Sequence, residues 1–465
     1  MLNPRIDVWE KRWHALEKIL HANPAETEHK LAPRYETLKS LRKCLQVFGG
    51  SHYDFFKSGF EGDEGIYLEP SPLYPKEYVL STILDQISFD LDVMARAEHF
   101  RMATVPSEMR TTLNKADMLA YAALEPAIKA NLLPNMTVVT YFQKSVTVRI
   151  LPYAPVALIG IPFSAVESSR DLLTIPHEVG HYVYRHGIFQ QCQHTGNRFE
   201  AVLNNELAGR PQWLLNWLEE IFADVYGCLV AGPLIALSFQ DLQAALSLQD
   251  FVSEDGEHPT PALRPQIYQH VLERSGLSPE TTQALHRRWG KYLPTRAGLG
   301  NLQFAGTGVA GQALNVDQVM QEIVLVIDKL LDEHLKTLLN ATRVSSKNHQ
   351  ALWTWDAVPT GEDVEWLYAS FAQRVETMSD NVAAQVPELV LTKSHDNEKA
   401  MQLTTPSANG EVKPVTRKPG ETGLWIDALK AKKGTGQPLT MPPAIWAALL
   451  NSNGWATEGP GGNAH

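Results

Sequence analysis

Cysteine is scarce in this chain. Cys44, Cys192 and Cys228 are the only three in 465 residues, and no CxxC pair occurs. So odd and scattered a set builds no disulfide framework; reduced thiols in a cytoplasm are the expectation, and a cysteine zinc site is unsupported. Positive charge is also in deficit. The 41 Lys and Arg against 52 Asp and Glu leave a net charge of −11. That argues against nucleic acid or an anionic membrane as the main partner. Long apolar runs are missing too. The longest uncharged stretch near the motifs, Val225 to Gln240, contains Gly227, Gly232 and Pro233 and falls short of the roughly 20 residues a spanning helix needs. Near the start, Asp7, Glu10, Lys11 and Arg12 interrupt any apolar core of a signal peptide. A soluble, cytoplasmic protein without membrane insertion is expected.

What is present is a 44% hydrophobic chain long enough for about three domains. Trp9, Trp13, Leu16, Ile19 and Leu20 recur at helical spacing. A second helix is expected from about Leu31 to Val47, stopping at Gly49-Gly50. Further helical patterns cover Tyr78 to Met102 and Ser107 to Ala130. The signal then changes to β-branched runs: Thr137 to Phe142, Ser145 to Leu151, and Val156 to Ile161 read as strands. A helix follows from near Ser169, or from Ile175-Pro176 if the proline marks its first turn. After a polar loop, Gln190 to Arg198, helical patterns span Pro211 to Val230, Leu242 to Leu248, Glu280 to Tyr292, Asp317 to Leu339 and Glu362 to Val386, with Ser253 to Pro265 a proline-punctuated loop. Ser394 to Thr422 is polar and turn-rich, as a flexible linker would be. Two apolar islands, Leu424 to Leu429 and Ile445 to Leu450, follow it and could dock on the body or on a partner.

One pentapeptide carries a specific chemistry. His177-Glu178-Val179-Gly180-His181 sets two imidazoles four residues apart. On a helix that spacing turns about 40° and rises about 6 Å, so both rings project from one face. Two neutral imidazoles so placed can hold one Zn²⁺ per chain, and Glu178 beside them can take a proton from a metal-bound water. A catalytic zinc usually takes a third protein ligand. An extension with glycine three and histidine six residues past His181 fails, because Tyr184 and Gly187 stand there. His186 falls on the wrong side of the helix, and His194 sits in a loop. Downstream, Glu220 and Asp224 interrupt an apolar stripe that includes Trp213, Trp217 and Cys228. Acids there are costly unless each has a partner. A metal for Glu220 and an imidazole N–H for Asp224 would supply both. Glu219 reads as a solvated neighbour.

A two-histidine helix followed by Glu-x-x-x-Asp resembles the gluzincin metallopeptidases. Glu257-His258-Pro259-Thr260-Pro261-Ala262-Leu263-Arg264 is similar to the His-Pro…Arg segment of the CAAX prenyl protease and HtpX-like peptidases. The resemblance covers roughly Val156 to Arg264 and implies that His258 and Arg264 face the reacting carbonyl or hold substrate near it. The expected architecture is α+β: a mostly helical chain around a zincin-like core with a small β-sheet and an active-site helix. Its expected parts are helical residues 1–132, the metallopeptidase core 133–265, helical residues 266–392, and a linker and tail 393–465. The expected activity is hydrolysis of a peptide or protein substrate, with His177, His181 and Glu220 on zinc, Glu178 as general base, and the strand Val156 to Ile161 pairing with extended substrate. A zinc hydrolase of a non-peptide amide and an idle zinc-binding scaffold are the alternatives.

Overall fold

A sheet whose strands are apolar on both faces must be covered on both faces, and that requirement organises this molecule. The computed structural model describes residues 4–21, 34–62, 68, 72–144, 146–188, 199–253, 255–293, 301–303, 313–345, 353, 364–378, 385–393, 399–404, 412–415 and 418–419. Four helices come first: α1 (Pro4–His21), α2 (Tyr35–Glu61), α3 (Lys76–His99) and α4 (Ser107–Lys129). Strands β1 (Thr137–Gln143), β2 (Thr147–Ile150) and β3 (Val156–Pro162) form one sheet in the order β1-β3-β2. Side chains alternate between its faces. Val138, Phe142, Ala157, Ile159 and Ile161 enter a core shared with α4 and the helices that follow the sheet. Val139, Tyr141, Val156 and Leu158 enter a second core built mainly from α1, α2 and α3.

Strand β3 is central. It pairs in parallel with β1 from Thr137↔Val156 to Gln143↔Pro162 and antiparallel with β2 from Thr147↔Gly160 to Ile150↔Ala157. Both of its edges are therefore used, which corrects the expectation that Val156 to Ile161 receives substrate. The outer edge of β1 is blocked at its midpoint as well. There Thr140 donates its N–H to Asp117 at 2.7 Å, and its carbonyl accepts from Arg101 at 2.8 Å. Arg101 and Asp117 form a buried ion pair, with Nη2 2.9 and 2.7 Å from the two carboxylate oxygens. An edge capped by side chains offers no template for another strand.

Gly49-Gly50 does not end the second helix. Helix α2 runs on to Glu61 and stops at Gly62 in the left-handed region (φ 75°). A Cβ at Gly49 would lie 2.8 Å from Ile87 Cδ1, and one at Gly50 3.2 Å from Trp13. The glycines admit neighbouring side chains to the helix surface, and the packing gained there outweighs their poor helix propensity.

Beyond the sheet come α5 (Ile175–His186), α6 (Phe199–Glu206), α7 (Gln212–Asn216), α8 (Leu218–Ala231) and α9 (Pro233–Ala244). Helix α5 starts at Ile175-Pro176, after a short 3₁₀ turn at Ser169–Leu172. The pattern read as one helix from Pro211 breaks at Trp217. The uncharged run from Val225 breaks at Gly232 and Pro233, and no helix among the described residues is long and apolar enough to cross a membrane. The expected helix Leu242 to Leu248 is instead the end of α9 and the start of α10 (Leu248–Val252), whose first turn is capped by Ser247 Oγ accepting from Asp250 N–H. Helices α11 (Arg264–Arg274), α12 (Pro279–Tyr292), α13 (Val316–Lys329), α14 (Lys336–Ser345) and α15 (Trp366–Thr377) follow, with a π turn at Leu330–His334 between α13 and α14.

The stretch expected as a linker from Ser394 contains structure. Strands β6 (Glu388–Lys393), β7 (Lys399–Thr404) and β8 (Val412–Pro414) form an antiparallel sheet, after a two-stranded ribbon of β4 (Asn301–Gln303) and β5 (Ala313–Asn315). Leu389, Met401 and Leu403 join the core of the first three helices. The Glu388 carboxylate accepts the N–H groups of Arg34 and Thr37 at 2.9 and 3.0 Å. Two alternating apolar residues, Met401 and Leu403, are too brief a pattern to stand out against polar neighbours. The polar loop 190–198, the apolar islands at 424–429 and 445–450, and the tail docking proposed for them lie outside the described residues. The fold is α+β and mostly helical, with small sheets.

Candidate metal centre

Helices α5 and α8 touch backbone to backbone. A Cβ on Gly180 would lie 2.7 Å from Ala223 Cα and 2.9 Å from the Ala223 carbonyl oxygen; one on Gly227 would lie 3.1 Å from the His177 backbone nitrogen. At Gly180 no larger residue fits without moving backbone, and at Gly227 a Cβ would be a tight contact. That contact brings His177 and His181, both on α5, against Glu220 on α8. Pro176 costs the helix nothing, since an N–H in the first turn has no intrahelical acceptor.

The Nε2 atoms of His177 and His181 lie 3.1 Å apart. Glu220 Oε2 is 3.4 Å from His177 Nε2, and Glu220 Oε1 is 3.3 Å from His181 Nε2. Two ligands about 2.05 Å from zinc in tetrahedral geometry are separated by about 3.3 Å. The separation of the two Nε2 atoms is close to that spacing, and each Nε2 is at a similar distance from a different oxygen of the Glu220 carboxylate. Glu220 Oε2 is buried and accepts no hydrogen bond, although Arg264 Nη2 lies 3.2 Å away. A buried carboxylate oxygen without a hydrogen bond, between the His177 imidazole and the Arg264 guanidinium, is one that a cation could satisfy.

The outer ring nitrogens are occupied by carboxylates. His177 Nδ1 lies 3.0 Å from Asp224 Oδ1, and His181 Nδ1 lies 3.2 Å from Glu219 Oε1. His181 Nδ1 is hydrogen-bonded there, whereas His177 Nδ1 is near Asp224 without hydrogen-bonding alignment; in the neutral imidazoles, a proton on Nδ1 would leave each Nε2 its lone pair for the shared point. Asp224 is fully buried and is itself fixed. It accepts from Arg264 Nε at 2.9 Å, from Arg264 Nη2 at 2.6 Å and from the Tyr268 hydroxyl at 2.7 Å.

Electrostatics follow from this arrangement. Burial disfavours the His177 imidazolium, but the Asp224 and Glu220 carboxylates outweigh it and hold the pKa up at about 9. Burial would raise the Glu220 carboxyl; His181, His177, His258 and Arg264 overcome that and hold it well below the usual range. For Glu178 burial prevails over the two histidines, and its pKa is raised. Half-buried beside the ligands, Glu178 has the raised basicity a proton acceptor needs.

His258 and Arg264 both reach the cluster, by different routes. His258 Nε2 lies 3.3 Å from Glu220 Oε1, while its Nδ1 is held 2.7 Å from Asp255 Oδ2. Its side chain is 44% exposed, so it stands at the solvent side of the cluster. Arg264 is buried with its fork on Asp224, not turned to an open face. The sequence reading missed Glu219, Arg185, Tyr268 and Asp255. Tyr268 follows Arg264 by four helical residues and so shares its face, a legible signal. Nothing in the sequence separates Glu219 from a solvated acid.

Among the described residues a second acidic group, Glu206, Glu333 and His334, also clusters. Lys329 Nζ lies 3.2 Å from Glu206 and 2.9 Å from Glu333, so a side-chain cation already bridges the two carboxylates. Comparison with protein-family models, with curated proteins and with solved structures finds no match.

Proposed function

We propose that this protein is a zinc-dependent metallopeptidase. The observation that carries the reading is the convergence of His177 Nε2, His181 Nε2 and the two oxygens of the Glu220 carboxylate at 3.1 to 3.4 Å, with Glu178 in electrostatic reach of all three residues. His177, His181 and Glu220 would hold the zinc ion, which would supply Lewis acidity for a water and a carbonyl. Glu178 takes the proton of the attacking water and passes it to the departing amine, a role that its raised pKa suits. Asp224 holds the His177 ring, and Arg264 and Tyr268 hold Asp224. His258, held by Asp255 with its Nε2 at the solvent side of Glu220, would donate to a substrate oxygen. Substrate pairing, if it uses this sheet, falls to the outer edge of β2, because both edges of β3 and the midpoint of β1 are taken.

The test compares wild type with Glu178→Gln and His177→Ala in a peptide-library digest read by mass spectrometry, beside zinc content by elemental analysis. Wild type is expected to hold one zinc and to generate new peptide termini that chelator abolishes and zinc restores. Glu178→Gln keeps the zinc and loses cleavage; His177→Ala loses both. Zinc binding by wild type with no turnover on any peptide would leave an idle scaffold as the better reading. No zinc binding would remove both.

A further inference from the structure

The two imidazoles of the centre are supported alike: each is backed by a carboxylate, and each carboxylate by an arginine. Behind His177 stand Asp224 and Arg264. Behind His181 stand Glu219 and Arg185. Arg185 lies four residues after His181 on α5, so both side chains project toward the same residue of α8. Arg185 Nε donates to Glu219 Oε1 at 3.1 Å, Nη2 donates to Oε2, and Nη1 reaches Glu200 Oε1 on α6 at 3.0 Å. The two-toothed grip fixes the plane of the Glu219 carboxylate. It leaves Oε1 3.2 Å from His181 Nδ1.

We infer that Glu219 and Arg185 are positioning residues of the metal centre: they set the tautomer and ring angle of His181 so that Nε2 faces the metal position. The inference rests on the zinc reading above and extends it to a pair of residues outside the Glu-x-x-x-Asp pattern. The physical ground is that a neutral imidazole carries one N–H, and whichever acceptor takes it decides which nitrogen keeps the lone pair. Without Glu219 the His181 ring can flip or turn its N–H to Nε2, where it opposes a cation. Without the Arg185 fork the Glu219 carboxylate is free to rotate away. A surface ion pair joining α5 to α8 would be the plainer role, and it makes a different prediction, because such a pair affects stability alone.

The experiment measures zinc affinity by competition with a chromophoric chelator, the visible spectrum of the Co²⁺-substituted protein, and the melting temperature of the metal-free form. The variants are Glu219→Ala and Arg185→Lys, with Glu219→Gln as the conservative replacement. Glu219→Ala is expected to weaken zinc binding about 10- to 100-fold, the range seen when a carboxylate behind a ligating histidine is removed, and to shift the Co²⁺ bands. Arg185→Lys keeps the charge but not the fork and should weaken binding by a smaller factor in the same direction. Glu219→Gln retains one acceptor oxygen and should recover part of the affinity. Should Glu219→Ala fail to fold, Arg185→Lys and Glu219→Gln decide. Wild-type zinc affinity and an unchanged Co²⁺ spectrum in the folded variants, with only the melting temperature lowered, overturn the inference and leave the zinc centre standing. If wild type itself takes up neither zinc nor cobalt, the underlying reading fails, and the inference with it.

Discussion

Replacing Gly180 by alanine tests whether the helix crossing sets the metal geometry. The new Cβ would stand 2.7 Å from Ala223 Cα, and ordinary contact begins at 3.4 Å. The clash is with backbone, which cannot rotate aside, so α5 and α8 must part by about 0.7 Å, the difference of those distances. The histidines ride on one helix and Glu220 on the other, so their N–O separations of 3.3 and 3.4 Å lengthen by a similar amount. Metal sites tolerate about 0.2 Å in ligand distance. Zinc affinity should therefore fall by about 100-fold or more. Stability of the metal-free protein sums two opposed effects. Overpacking costs about 1–3 kcal/mol. Alanine gains about 1 kcal/mol over glycine in a helix interior. The expected net is a destabilisation of about 0–2 kcal/mol, readable by urea unfolding, with zinc affinity measured by chelator competition. Propensity alone predicts the opposite sign. A Gly180→Ala protein about 1 kcal/mol more stable than the parent, with parental zinc affinity, would refute the reasoning.

Two further outcomes follow from the same geometry. In the metal-free protein His177 is held protonated up to about pH 9 by Asp224 and Glu220. Zinc must displace that proton, so its affinity should rise as pH increases, by about tenfold per unit for each proton released, and level off above about 9; a flat profile in competition titrations between about pH 6 and 9 would contradict this. Asp117→Ala leaves Arg101 charged and buried and uncovers the N–H of Thr140. A loss of about 3–5 kcal/mol is expected, and calorimetry showing less than about 1 kcal/mol would dismiss the pair as the edge cap of β1.

Much of this was readable before any coordinates. The strands at 137–143, 147–150 and 156–162 announced themselves by β-branched runs, and the histidine spacing placed both rings on one face of α5. Glu220 and Asp224 were legible as acids in an apolar stripe, and the structure brings both to the imidazoles. What stayed hidden depended on tertiary partners. Gly49-Gly50 looked like a stop because local propensity is silent about Trp13 and Ile87 arriving from other helices. Strand order is equally invisible locally, so the run Val156 to Ile161 does not disclose that both of its edges are paired. Glu219 looked solvated because its arginine lies 34 residues earlier in the chain.

The placement of β6 and β7 has a consequence for biosynthesis. Leu389, Met401 and Leu403 complete a core whose other members begin at Trp13. A ribosome releases the first helices long before these three residues emerge, so one apolar wall of the early structure stays uncovered through most of translation. Contacts that span nearly the whole polypeptide form late and slowly. The core of the first three helices is thus complete only once β6 and β7 have been made.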